Sequence, residues 1–320
     1  MKIHLPNSAF LGNLDPFLRG FDPRNLDDLE ISANKKWISF HPVVLSMIAA
    51  VGLNVKPEKI NCEKFEARSG HYAERMGLFK ILGIKSGISI IEHESAGRFI
   101  PLTQIKNSKE LTEFISEMTP LLHLDSRNAE TIKYIVSELV RNVLEHSDSK
   151  NGAILSAQYH KKSNTIRIGI ADTGVGIKKT INVSHFAGSD LEAIRLALVP
   201  GITGTTKREG GTEYNAGAGL FFIKSIASVN RNFFLIYSGS ALYKLLKRKQ
   251  VLKPKLHADP FKDRHSEEND LPYWQGTVVG IDISLDKTGE FSGLLDLIRD
   301  TYAKAIRERK KAKYKEAKFI

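Results

Sequence analysis

Cysteine is almost absent. Cys62 is the single cysteine in 320 residues, which excludes an intramolecular disulfide framework and any Cys-x-x-Cys metal site and points to a reducing compartment. Long apolar runs are missing too. The longest, residues 43–53, falls far short of the roughly 20 residues a bilayer-spanning helix needs. The opening Met1-Lys2-Ile3-His4-Leu5-Pro6 lacks the apolar core of a secretory signal. These gaps lead to the expectation of a soluble, cytoplasmic chain with no membrane association. No helix-turn-helix, transmembrane sensor or receiver pattern is visible either.

What is present is ample apolar material, 42% of residues, enough for real cores in about two domains. The net charge of +11 is unevenly spread. Residues 304–320 carry eight Lys/Arg against two Glu, at the end of a helix expected over 291–320. Such a basic tail offers a surface to nucleic acid or to an acidic protein partner.

Three stretches carry chemistry. In residues 129–146, Ile132, Ile135, Val136, Leu139 and Val143 mark one apolar helical face, while Glu138, Asn142 and His146 follow at four-residue steps along one edge. A carboxylate one turn from a carboxamide can activate a water while the amide oxygen meets a hard cation such as Mg²⁺. In residues 165–177, Ile166, Ile168 and Ile170 alternate as in a strand that runs into Asp172-Thr173-Gly174-Val175-Gly176-Ile177. An acid leaving a strand into a Gly-x-Gly turn is a fixed acceptor beside backbone that a flat ligand can approach closely. In residues 215–227, Gly217-Ala218-Gly219-Leu220 opens a helix whose free amides form a seat for phosphate.

In this order and spacing the three resemble the ATP-binding motifs of the GHKL superfamily, named for gyrase, heat-shock chaperone, histidine kinase and mismatch-repair ATPases. Glu138-x3-Asn142 matches the N box, Asp172-x-Gly174-x-Gly176 the first glycine box, and Gly217-x-Gly219-Leu220 the second; Gly276-Thr277 with the apolar residues after it is similar to the closing strand. The resemblance spans about 105–290. It implies an α+β fold: a Bergerat-type ATP-binding sandwich, a mixed sheet with helices on one face, preceded by a smaller α/β domain. It also implies roles. Asp172 accepts from the adenine amino group with Thr277 nearby, Gly174, Gly176 and Ile177 flank the nucleoside, and Asn142 binds Mg²⁺. Gly217, Ala218, Gly219 and Leu220 hold phosphates, and Glu138 is the general base.

Residues 178–216 are expected as the ATP lid. Residues 200–212 have no Gly-x4-Gly-Lys-[Ser/Thr] loop, but hydroxyls such as that of Thr206 offer donors, and Lys207 or Arg208 could meet the γ-phosphate. The N-box ending Asn142-Val143-Leu144-Glu145-His146 is similar to the anti-sigma serine-kinase branch. Residues 1–104 form the N-terminal α/β domain, whose order of elements resembles a STAS-like fold, and residues 248–273 read as an insertion or long loop. His93 begins like a phosphoacceptor box, but the spacing to Pro101 and the β-rich run before it speak against autophosphorylation there. The expectation is a Mg-ATP-binding regulatory protein that acts as a kinase-like or partner-switching module on a protein partner. The alternative is a slow ATPase whose nucleotide-gated dimerisation acts on nucleic acid or a protein.

Overall fold

The computed structural model describes residues 1–23, 27–36, 38–66, 70–88, 99–121, 126–204, 218–247, 256–285 and 291–316. The N-terminal part contains β1 (Lys2–Leu5), α1 (Asp15–Arg19), β2 (Leu29–Ala33), α2 (Pro42–Gly52), β3 (Ile60–Cys62), α3 (Gly70–Arg75) and α4 (Leu78–Leu82). There follow β4 (Phe99–Ile105), α5 (Ser108–Leu121), α6 (Ser126–His146), β5 (Ala153–His160), β6 (Thr165–Ala171), α7 (Gly176–Asn182) and α8 (Asp190–Ala197). Then come α9 (Gly219–Val229), β7 (Phe234–Gly239), β8 (Ala241–Leu245), β9 (His265–Glu268), β10 (Trp274–Ser284) and α10 (Phe291–Glu316). The fold is α+β. Thr206, Lys207, Arg208, Gly217 and His93 lie outside the described residues, as do parts of the expected lid and insertion.

Seven strands form one sheet in the order β4-β5-β6-β10-β7-β8-β9, and β1-β2-β3 form a small parallel sheet. Every pairing in the large sheet is antiparallel, so the expected mixed sheet is corrected. The physical reason is local: β5 with β6, and β7 with β8, are joined by short turns that leave no room for the crossover a parallel neighbour requires.

Period-two alternation assigns the two faces of the sheet. Ile166, Ile168 and Ile170 of β6 and Val279, Ile281 and Ile283 of β10 join one core, shared with apolar residues of α5 to α9 and with Ile298 of α10. Leu235 and Tyr237 of β7 and Val278 of β10 join a second core with the N-terminal part. Helices α5 to α9 thus lie on one face, and α2 of the N-terminal part covers the other. All 11 residues of α2 are buried, so it is apolar all round rather than amphipathic. Its backbone comes so close to β6 that a Cβ on Gly169 would lie 2.2 Å from Val43 Cα. Ser46 Oγ donates to Gly169 O at 2.9 Å and Ser156 Oγ donates to Pro42 O at 3.1 Å, which satisfies hydroxyls that would otherwise be costly so deep inside.

The boundary expected at residue 104 falls inside β4, the edge strand paired with β5. Further ties cross between the N-terminal part and the sheet: Lys244 Nζ donates to Asp15 at 2.7 Å, and buried His41 Nε2 lies 3.3 Å from Asp282. Part of the expected insertion is ordered. β9 extends the sheet, and the fully buried ion pair Lys224–Asp263, at 2.7 Å, fastens this segment to α9. Along α10, Ile298, Ala305 and Ile306 are buried while Lys304, Arg307, Lys310 and Lys311 are exposed. No helix among the described residues is long and apolar enough to cross a membrane.

Candidate functional site

Two parts of the fold meet at a cavity of about 360 Å³. That size lies within the range of roughly 300–1,000 Å³ usual for small-molecule sites. One wall is built from strand ends and the other from helices.

The strand-built corner begins where β6 stops. The alternation that buries Ile166, Ile168 and Ile170 carries the chain into Asp172, which is 1% exposed. The backbone of Asp172 is fixed on both sides: its N–H donates to Thr277 O at 2.9 Å, and its carbonyl accepts from Trp274 Nε1 at 3.0 Å. Its carboxylate accepts the Gly174 N–H at 2.8 Å, closing an Asx-type turn. Burial pushes the Asp172 carboxyl up to about 7, while backbone hydrogen bonds at Gly174 and Thr277 pull the other way.

The glycines here answer to close neighbours. A Cβ on Gly174 would lie 2.0 Å from Ser147 O, because the loop runs against the end of α6, where Val175 N–H donates to that same carbonyl at 2.7 Å. Gly176 (φ +77°) and Gly276 (φ +110°) occupy left-handed backbone that a side chain would strain. Ser238 joins them: its Oγ donates to Gly276 O at 2.6 Å and accepts the Ile177 N–H at 3.0 Å.

The helix-built corner comes from α6 and α9. Ile132, Ile135, Val136, Leu139 and Val140 bury one face of α6, which turns Tyr134, Glu138, Asn142 and His146 toward the cavity. Glu138 lies against the start of α9, since a Cβ on Gly219 would stand 2.5 Å from its Oε2 and 3.8 Å from Asn142 Nδ2. Burial raises the Glu138 carboxyl above the ordinary carboxylate range; the Arg141 guanidinium, 3.3 Å away, pulls it down and Glu145 pushes it up. Among the described residues, Asn142 Nδ2 is buried without a hydrogen-bond partner and no side chain caps the start of α9. An orphaned carboxamide and uncapped helix amides side by side are unsatisfied donors facing the cavity.

Of the residues expected in the site, Glu138, Asn142, Asp172, Gly176, Ile177, Ala218, Gly219, Leu220 and Thr277 all line this cavity. Gly174 stands behind it and braces the loop. Trp274, Gln275, Ser238 and Ser147 support the strand-built corner but were not singled out in the sequence. No local pattern marks them, because each acts on backbone far away in the chain; Trp274 and Asp172 are 102 positions apart. Ile202, Thr203 and Gly204 add to the wall, and Ser184 Oγ donates to Gly204 O at 2.7 Å.

The fit of a divalent cation rests on donor chemistry. Glu138 and Asn142 offer a carboxylate and an amide oxygen to a hard ion. Among the described residues no group of three or more His, Cys, Asp or Glu could hold a metal, so the remaining ligands would come from a bound anion or water. No protein-family model matches the chain, and no curated protein is similar to it.

Proposed function

We propose that the cavity binds Mg-ATP in the manner of a Bergerat-type GHKL site, and that the chain is a regulatory protein using that nucleotide as a kinase-like or partner-switching module. One observation carries the reading. A sealed acid at a strand end (Asp172) and an orphaned carboxamide beside an uncapped helix start (Asn142 and Gly219) face the same cavity. The first arrangement suits the amino group of a flat base, and the second suits an anion with its cation.

In this reading Asp172 accepts from the exocyclic amino group of adenine, which selects against guanine, whose carbonyl at that position offers no hydrogen. Thr277 adds a hydroxyl to the same corner. The amides at Ala218, Gly219 and Leu220 take phosphate oxygens, helped by the dipole of α9. Asn142 would hold Mg²⁺ through its amide oxygen, and the ion would supply charge neutralisation between phosphates. Glu138 is also the group positioned to take a proton from an attacking hydroxyl. Its raised pKa brings it nearer the operating pH, where a general base is most effective.

The test follows γ-labelled ATP with Mg²⁺, using the wild-type chain, Glu138→Gln and cell lysate as a source of partners. Labelled protein, lost in the variant, supports a kinase. Free phosphate without labelled protein makes the chain an ATPase, and stimulation by nucleic acid then points to the exposed cations of α10. Failure to bind ATP at all overturns the reading.

A further inference from the structure

We propose that the N-terminal part is a working component of the strand-built corner, with Trp274 and Asn54 as positioning residues that hold the Asp172–Gly176 loop in register for a nucleobase. This rests on the nucleotide reading above and extends it to residues behind the cavity.

Trp274 provides the first tie. Its indole is 1% exposed, and its N–H ends on the carbonyl of Asp172 itself. The ring is held by Phe21 of the N-terminal part at 5.7 Å and by Tyr237 of β7 at 6.3 Å. The N-terminal part thus reaches the base-binding acid through one intermediary side chain.

Asn54 provides the second tie, just beyond the end of α2. Its Nδ2 donates to Ala50 O at 2.8 Å and to Thr173 Oγ1 at 3.0 Å, and its Oδ1 accepts from Asn151 Nδ2 at 3.1 Å. One amide therefore joins the last turn of α2, the residue after Asp172 and the turn before β5. Neither end of this link has slack, because α2 is buried along its whole length and its backbone is pressed against Gly169, three residues before Asp172. A side chain aimed into the cavity is only as well placed as the loop that carries it, and this loop is held from behind.

The test titrates ATP, GTP and inorganic tripolyphosphate, each with Mg²⁺, into the full chain. Trp274→Phe, which keeps a ring, weakens ATP about tenfold, the effect of one buried hydrogen bond, and Asn54→Ala, whose bond to Thr173 lies at the surface, weakens it about threefold. Both variants reduce the preference for ATP over GTP and leave tripolyphosphate unchanged. Thr173→Val reproduces Asn54→Ala, the two together are no worse than either alone, and Thr173→Ser restores wild-type affinity. A general loss of folding would instead weaken ATP and tripolyphosphate in parallel, and that outcome overturns the proposal. So does undiminished ATP affinity in Trp274→Phe and Asn54→Ala while the wild type binds ATP; the nucleotide reading then stands alone. A wild-type chain that binds no ATP removes both.

Discussion

The two corners of the cavity are built on opposite principles. In the strand-built corner the backbone of Asp172 is paired on both sides, and Ser238 and Trp274 spend their polar atoms inside the protein. In the helix-built corner, among the described residues, Asn142 keeps an unpaired amide and α9 starts without a side-chain cap, while Glu138 is held by an ion pair with the half-exposed Arg141. One corner is finished by the fold. The other has donors left over, which a ligand can satisfy. The difference teaches where to look for selectivity and where to look for chemistry: in the proposed reading, rigid, satisfied backbone would set which base fits, and unsatisfied groups would act on what arrives with it.

The comparison can be broken most forcefully at Glu138. Glu138→Gln keeps shape and hydrogen-bonding capacity but cannot take a proton, so turnover should fall by about 10²–10⁴-fold while ATP binding persists. Single-turnover assays beside equilibrium titration separate the two effects. Normal turnover would remove Glu138 from its role.

Asp172→Asn should do the reverse, weakening ATP by about 10²-fold because a charged acceptor is replaced by an amide whose N–H₂ can face the adenine amino group. Stability should move in the opposite direction. The folded pKa of Asp172, about 7, lies above the ordinary carboxylate value. The stability this acid contributes is therefore fully present only below the unfolded pKa, and is lost as pH rises through 7. Thermal melts should show Asp172→Asn more stable than wild type at pH 8 and no more stable at pH 4. A variant that is less stable at both pH values would contradict the assignment.

Two alanines sharpen the contrast between rigid and adaptable walls. At Gly174 the new methyl meets the carbonyl of Ser147, which is backbone and cannot swing away, so Gly174→Ala should cost about 2–4 kcal/mol. At Gly219 the methyl meets the end of the Glu138 side chain, which can turn aside, and alanine is the better helix former by about 1 kcal/mol. Gly219→Ala should therefore leave the melting temperature nearly unchanged while lowering turnover through the displaced carboxylate. Equal destabilisation by the two would show that the helix-built wall is as rigid as the other.

The last effect is a pH dependence. Ionised Asp172 is the form that accepts from an amino group, so ATP affinity should be level above pH 7 and decline by up to tenfold per unit below it. Protonation of the terminal phosphate weakens ATP and tripolyphosphate alike in this range, so the limb that belongs to Asp172 is the additional loss seen with ATP.

Much of this site was legible because its signals are local. Four-residue steps on α6 place Glu138, Asn142 and His146 on one edge, and alternation through β6 delivers Asp172 to a strand end whatever the rest of the chain does. What escaped was non-local. Nothing near residue 99 says that β4 will pair with β5, and nothing in the run from Val43 to Gly52 says that this helix will lie on a sheet rather than beneath one. The mixed sheet was expected through resemblance, whereas strand direction is decided by which strands become neighbours. Trp274 carries no signal of its own in the sequence; its indole N–H matters only once Asp172 lies beside it.

That indole has a practical consequence. The chain has two tryptophans, and the other, Trp37, lies outside the described residues. Replacing Trp37 by phenylalanine leaves one tryptophan, which can be excited apart from the nine tyrosines and is hydrogen-bonded to the carbonyl of the residue assigned to the base. Its emission reports the polarity around that bond, so occupancy of the cavity can be followed in real time without a label, and movement of the N-terminal part against the sheet registers in the same signal.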